Sequence, residues 1–261
     1  MDDGLSAARA VRLLQRTPRS GPPGRGFIRL ACRNAAGSLA LTLGLGAGAA
    51  LAEDGVVKLE FVNCTPQMER DITEAVALAA TAIDQVAARL SSDKEHPADV
   101  AAIARWLGER TSRFDILKDL KYLAARLDPD QLPIVAECRP EDHNVFAWTY
   151  SAMTGEGYIS FGMPFFQAPL VGGPDTRMGT VIHELSHMVP GIATEDYFYA
   201  DHQIQGLARI FPDAARDNAQ NIEYLVEEIF DRLNGTTPGV KFIARSAYPG
   251  AHPPPVDRNR Y

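Results

Sequence analysis

The chain has 261 residues, 46% of them hydrophobic and 23% charged, which is length and apolar content enough for one well-cored domain. Its charge is unevenly spread: residues 1–52 hold seven Arg against two Asp, and the remainder holds 19 basic against 31 acidic side chains. An acidic body excludes nucleic acid and anionic membrane surfaces as the expected partners.

In chain order, Arg25, Arg29 and Arg33 precede the apolar run SLALTLGLGAGAALA, which closes on Ala50-Leu51-Ala52 just before Glu53 and Asp54. Basic residues, an apolar run and a small-residue site form the pattern of a secretory signal peptide. The run falls short of the roughly twenty strongly apolar residues that span a bilayer, so no permanent membrane anchor is expected. Residues 1–52 therefore read as leader and signal, cleaved near Ala52, and the product as secreted or periplasmic. Cys32 goes with the leader. Cys64 and Cys138 remain, and an even count in an oxidising compartment predicts a disulfide between them.

After a short extended stretch, VVKLEFVNC, Thr65 and Pro66 give a helix start, and Ile72, Ala75, Val76, Ala79, Ile83, Val86 and Leu90 give that helix one apolar face. Two further helical patterns follow, VAAIARWLGERTS and RFDILKDLKYLAARL. LPIVAEC, VFAWTY and GYISFG are short, β-branched or aromatic, and separated by turn residues, which predicts a small sheet. Helical periodicity returns in TRMGTVIHELSHMV, with a start at Asp175, stops at Pro190-Gly191, and resumes in DHQIQGLARIF and ARDNAQNIEYLVEEIFDRLN. One domain over residues 53–245 is expected, followed by a Pro-rich tail over 246–261.

Within GTVIHELSHMVP, His183 and His187 are four residues apart and so project from one face of a helix, close enough to share a zinc ion. Glu184 falls beside them as a base for a zinc-activated water. Val181, Ile182, Leu185 and Met188 would bury the helix's other faces. A catalytic zinc needs a third protein donor. A third His six residues after the second, with a Gly three after it, is ruled out, because Ala193 and Pro190 stand there. Glu223 or Glu227 on a later helix would serve, and so would a residue of ATEDYFYAD.

That last segment, Ala193-Thr194-Glu195-Asp196-Tyr197-Phe198-Tyr199-Ala200, resembles the second motif of the aspzincins, the deuterolysin and peptidyl-lysine metalloendopeptidase family: Gly-Thr-x-Asp-x-x-Tyr-Gly. Thr, Asp and Tyr match in spacing, and both glycines are Ala, which predicts a different local loop if those glycines need positive φ. The resemblance implies Asp196 as third ligand and Tyr199 as donor to the tetrahedral oxyanion. It extends to a Cys leading into the first long helix with a second Cys about seventy residues on, as at Cys64 and Cys138. GYISFGMPFF is similar to the family's edge strand before the active-site helix. Asn218-Ala219-Gln220-Asn221-Ile222-Glu223-Tyr224 is similar to the segment Asn-Ala-Asp-Asn-x-Glu-Tyr, whose Asp and Glu hold a substrate ammonium in the lysine-specific branch. Gln220 and Glu223 are thus the candidate substrate-binding pair, and a carboxylate with an amide selects a cation less sharply than two carboxylates do.

The expected fold is α+β of the zincin type, helix-rich with a small, mainly antiparallel sheet. The expected activity is hydrolysis of internal peptide bonds in a protein or peptide substrate, with one zinc ion, Glu184 as general base and a preference for lysine on the leaving-group side. The competing readings are a non-catalytic zinc-stabilised exported binding module and an exported effector protease with one host substrate. His96, His143, His202 and His252 lie in polar or Pro-rich stretches and read as solvated. Trp106, Trp148, Phe165 and Phe166 read as core or sheet-face residues.

Overall fold

The computed structural model describes residues 56–149 and 157–236; the expected leader, the tail, Cys32 and His252 lie outside them. The order of elements is β1 (Leu59–Val62), α1 (Pro66–Ser91), α2 (Pro97–Leu107), α3 (Arg113–Arg126), β2 (Ile134–Arg139), β3 (Ala147–Thr149), β4 (Gly157–Gly162), α4 (Met163–Gln167), α5 (Arg177–Met188), α6 (Asp201–Ile210), α7 (Pro212–Arg216) and α8 (Ala219–Asn234). α1 starts where the sequence puts it. The Thr65 hydroxyl accepts from the Met68 amide at 3.3 Å, and Pro66, with no amide to leave unsatisfied, takes the first turn. The predicted apolar face is buried along its whole length, joined by Ala82. The five-residue helices α4 and α7 are additional to the expected set, because one turn and a half is too short to show a periodicity.

The sheet corrects an expectation. Its order is β1-β2-β4-β3, with β1–β2 and β2–β4 parallel and only β3–β4 antiparallel, so it is mixed rather than mainly antiparallel. The physical reason is the connection: three helices carry the chain from β1 to β2, and a long crossover can return a strand in the same direction, which a tight turn cannot. GYISFG is correspondingly not an edge strand. It is β4, hydrogen-bonded on both sides and buried at every position but Tyr158, while β3 takes the outer place beside it. Continuous burial of β4 is what an interior strand requires.

Parallel pairing sets Val62 opposite Glu137, so Cys64 and Cys138 arrive at the same end of neighbouring strands and are joined as a disulfide, with Cα atoms 5.0 Å apart. α5 lies between α1 and α8, with β3 also against it. It is buried nearly all round: Met178, Val181, Ile182 and Leu185 are fully enclosed, and Met188 almost so. A helix buried on all faces can place polar groups only where other polar groups meet them, and the residues that meet His183, Glu184 and His187 define the site below.

The disulfide closes a loop across 74 residues of sequence. Replacing both cysteines by serine is expected to lower the unfolding free energy by about 2–5 kcal/mol. Equilibrium denaturation of the two proteins measures this, and a loss under about 1 kcal/mol would mean that strand pairing alone holds the loop closed.

Candidate metal centre

α5 is capped at Thr176, one residue later than the expected start at Asp175. The Thr176 hydroxyl accepts from the Gly179 amide at 2.8 Å, while Asp175 stands before it at φ 60° and accepts from the Tyr224 hydroxyl at 2.9 Å. Glu227 of α8 reaches the same helix start: its Oε1 accepts from the Thr176 amide at 3.0 Å and the Thr176 hydroxyl at 2.6 Å. An acceptor there satisfies polar groups at the start of the helix. The approach depends on Gly179, where a Cβ would lie 2.0 Å from Glu227 Oε1 and 2.8 Å from Glu223 Oε1.

One turn separates His183 from His187, and their ring centroids are 5.0 Å apart. Each ring is held at Nδ1. His183 Nδ1 is 3.0 Å from Glu223 Oε2, which also accepts from Gln220 Nε2 at 2.7 Å. His187 Nδ1 donates to the Thr194 carbonyl at 2.8 Å, with the Thr194 hydroxyl at 3.2 Å. Acceptors at both Nδ1 atoms hold a ring proton there, so the Nε2 atoms, which point outward together, are the ones a metal ion would meet.

Asp196 Oδ1 meets both Nε2 atoms, 3.0 Å from that of His183 and 3.3 Å from that of His187. The three donor atoms lie within 4.8 Å of one another. Neighbouring ligand atoms of a tetrahedral zinc with bonds of about 2.0–2.1 Å stand about 3.3 Å apart, so the two imidazoles and the carboxylate fit that ion. Of the alternative third donors, Glu223 is on the Nδ1 side of His183 and Glu227 is engaged at the start of α5.

The chain reaches Asp196 by turning back under α5. Ile192 and Ala193 amides both donate to the Val189 carbonyl, at 2.9 and 2.8 Å, and the Thr194 amide donates to the Ser186 carbonyl at 3.2 Å. Ala193 sits at φ 49°, in the left-handed region that a side chain disfavours. The glycine expected there by resemblance is therefore replaced without loss of the left-handed turn, whereas Ala200 is extended at φ −76° and needs no glycine. Thr194 is pinned by its hydroxyl to Ser186 Oγ at 2.6 Å. Tyr199 brings its ring parallel to that of His183, with centroids 6.1 Å apart.

Glu184 is buried, and its Oε2 has no hydrogen-bond partner among the described residues. Burial pushes its carboxyl above the ordinary value, against the pull of the two histidines. Burial likewise pushes Glu223 up to about 7, with the His183 bond opposing it, and Glu227 further up. Asp196 goes the other way: burial pulls upward, but hydrogen bonds from His183 and His187 outweigh it and hold the carboxyl below its usual range. Burial disfavours a charged His183, yet Asp196 and Glu223 outweigh that and raise it.

The structure thus gathers His183, Glu184, His187, Asp196 and Tyr199, and places Gln220 and Glu223 behind His183 as a buried pair. His202 lies exposed in the first turn of α6. Sequence reasoning missed Thr176, Gly179 and Ser186, which carry no catalytic signature, and gave Asn218 no role of its own within the segment that resembles the family's later helix.

Residues 93–227 match the family model described as lysine-specific metallo-endopeptidase, the aspzincins. The chain belongs to the aspzincin family. It is 30% identical over 168 residues to the peptidyl-Lys metalloendopeptidase of Pleurotus ostreatus, spanning 64% of this chain and 95% of that protein. To the protein of the same description from Grifola frondosa it is 31% identical over 181 residues, and to an extracellular protease of Aeromonas hydrophila 28% identical over 190 residues, in each case spanning 51% of the relative. Among solved structures, a zinc peptidase from Grifola frondosa shares its fold, with a TM-score of 0.53 at 24% identity, covering 64% of this chain and 98% of that one. This aspzincin is a zinc metalloendopeptidase, a hydrolase acting on peptide bonds.

Two glycine exchanges test the local architecture. Ala193→Gly is expected to raise the unfolding free energy by about 1 kcal/mol by relieving the left-handed alanine. Gly179→Ala is expected to lower it by about 1–3 kcal/mol, because the new methyl meets two carboxylate oxygens. Denaturant titration checks both, and an Ala193→Gly protein no more stable than the parent would show that the turn is unstrained.

Proposed function

We propose that His183, His187 and Asp196 hold one zinc ion, and that the chain uses it to hydrolyse internal peptide bonds with a preference for lysine on the leaving-group side. The observation that carries this reading is the convergence of two Nε2 atoms and Asp196 Oδ1 beside a buried, unpartnered Glu184 oxygen. A zinc ion there supplies Lewis acidity, lowering the pKa of a water and polarising a carbonyl. Glu184 takes the proton of the attacking water and passes it to the leaving amine. Its raised affinity for a proton suits both halves of that task. Tyr199, stacked beside His183, donates its hydroxyl to the oxyanion. Glu223 and the Thr194 carbonyl keep the two imidazoles in the metal-binding tautomer.

The relatives described as peptidyl-Lys metalloendopeptidases support the lysine preference. In this chain Glu223 is shared with His183 and Gln220, so one engaged carboxylate, with an amide in place of a second, attracts an ammonium group less sharply. No described helix is long and apolar enough to cross a membrane, and the signal-like leader with an extracellular relative supports export of the enzyme.

Glu184→Ala is expected to retain zinc and lose about 10²–10⁴-fold of peptide hydrolysis, read by metal analysis and a peptide-cleavage assay on the same preparation. Equal activity in variant and parent would end the assignment of Glu184 as the base, and no zinc-dependent hydrolysis in either would leave a zinc-stabilised binding module. Asp196→Ala is expected to lose the metal; retention there with loss in Glu223→Ala would overturn the ligand set. Cleavage of a mixed peptide library is expected to enrich lysine after the scissile bond, with other residues also accepted, and a flat profile would remove the lysine preference.

A further inference from the structure

Asn218 stands immediately before α8, where an asparagine ordinarily turns back to accept from an amide of the helix's first turn. Here it makes no such bond. Its fully buried carboxamide faces the loop instead: Oδ1 accepts from the Tyr197 and Phe198 amides at 2.8 and 3.1 Å, and Nδ2 donates to the Phe198 carbonyl at 3.0 Å. The second Nδ2 proton goes to Asn221 Oδ1 at 2.7 Å, so both donors and both acceptor positions are used.

The backbone reinforces the same junction. The Glu195 amide donates to the Asp217 carbonyl at 2.7 Å, and the Ala219 amide to the Glu195 carbonyl at 3.1 Å. Asn221 in turn donates to the Trp106 carbonyl of α2 and, at 3.1 Å, to the Ile204 carbonyl of α6. Asp196 is therefore bracketed: its preceding residue is bonded to the chain around Asn218, and its two following residues are bonded to the Asn218 side chain. A side chain that gives up its local cap to hold a remote loop departs from local preference, and such departures gather at functional sites.

We propose that Asn218 is the positioning residue for the third zinc donor, fixing the backbone beyond Asp196 so that Oδ1 stays in reach of both imidazole Nε2 atoms. The inference rests on the metal-centre reading above. Releasing the Tyr197 and Phe198 amides would let Asp196 swing toward solvent, where its side chain is already 38% exposed. The two histidines, seated on a buried helix, would stay in place.

Two variants separate this role from a purely structural one. Asn218→Ser supplies a good helix cap in place of the clamp and is too short to span to both loop amides. Asn218→Ala supplies neither. Zinc affinity would be measured by chelator competition on metal-stripped protein, beside the unfolding temperature of the metal-free form. The expectation is a loss of about ten- to a hundredfold in zinc affinity in both variants, with Asn218→Ser melting near the parent when metal-free. A folded Asn218→Ser protein within about twofold of the parent in zinc affinity would overturn the proposal. So would failure of both variants to fold, which would make Asn218 a folding residue. A parent that takes up no zinc would instead sink the metal-centre reading itself.

Discussion

The close contact of α8 with α5 at Gly179 is the constraint on which the rest of the site depends. With no side chain at that position, Glu223 and Glu227 come close against a helix buried nearly all round. One carboxylate then caps the start of α5 and the other holds His183 by its Nδ1. A ring so held keeps one tautomer and one orientation, which is what a metal ligand needs before the metal arrives. The cost is desolvation of several carboxyl groups in one small volume. The helix start, the threonine hydroxyl and the imidazoles offset it, and an ion between the Nε2 atoms would complete the compensation.

The proposed third donor comes from a different kind of structure. His183 and His187 are fixed by helical geometry, whereas Asp196 sits on a loop that must double back after Pro190-Gly191. Loops hold a side chain in place only when their backbone groups are bonded to something rigid. Here Ser186 and Val189 of the preceding helix take the near end, and the chain around Asn218 takes the far end. Ala193 keeps the left-handed turn that a glycine would adopt freely, which shows how strongly the contacts on either side of it dictate the path.

Much of this was legible because periodicity and capping are local. The Thr65-Pro66 start, the apolar face of α1 and the end of α5 follow from neighbouring residues alone, and the pairing of two imidazoles follows from a four-residue spacing on a helix. Strand direction was not legible: LPIVAEC and GYISFG have the same alternation whether their neighbours run parallel or antiparallel, and the three-helix crossover decides. Gln220 and Glu223 were read as a pocket pair because their chemistry suits a cation. Only packing reveals that Glu223 Oε2 is already shared between His183 and Gln220.

What the sequence determined by itself, then, is the set of chemical groups and their local geometry: an HExxH helix, an Asp nine residues beyond it, two cysteines and the helices around them. Those features depend on residues within a few positions of one another. The tertiary structure decided which carboxylate meets which nitrogen, which strand lies at the edge, and what holds the Asp196 loop. These depend on contacts between segments far apart in the chain, such as Asn218 with Tyr197 and Glu227 with Thr176, and no spacing rule encodes a distance that folding alone brings into being.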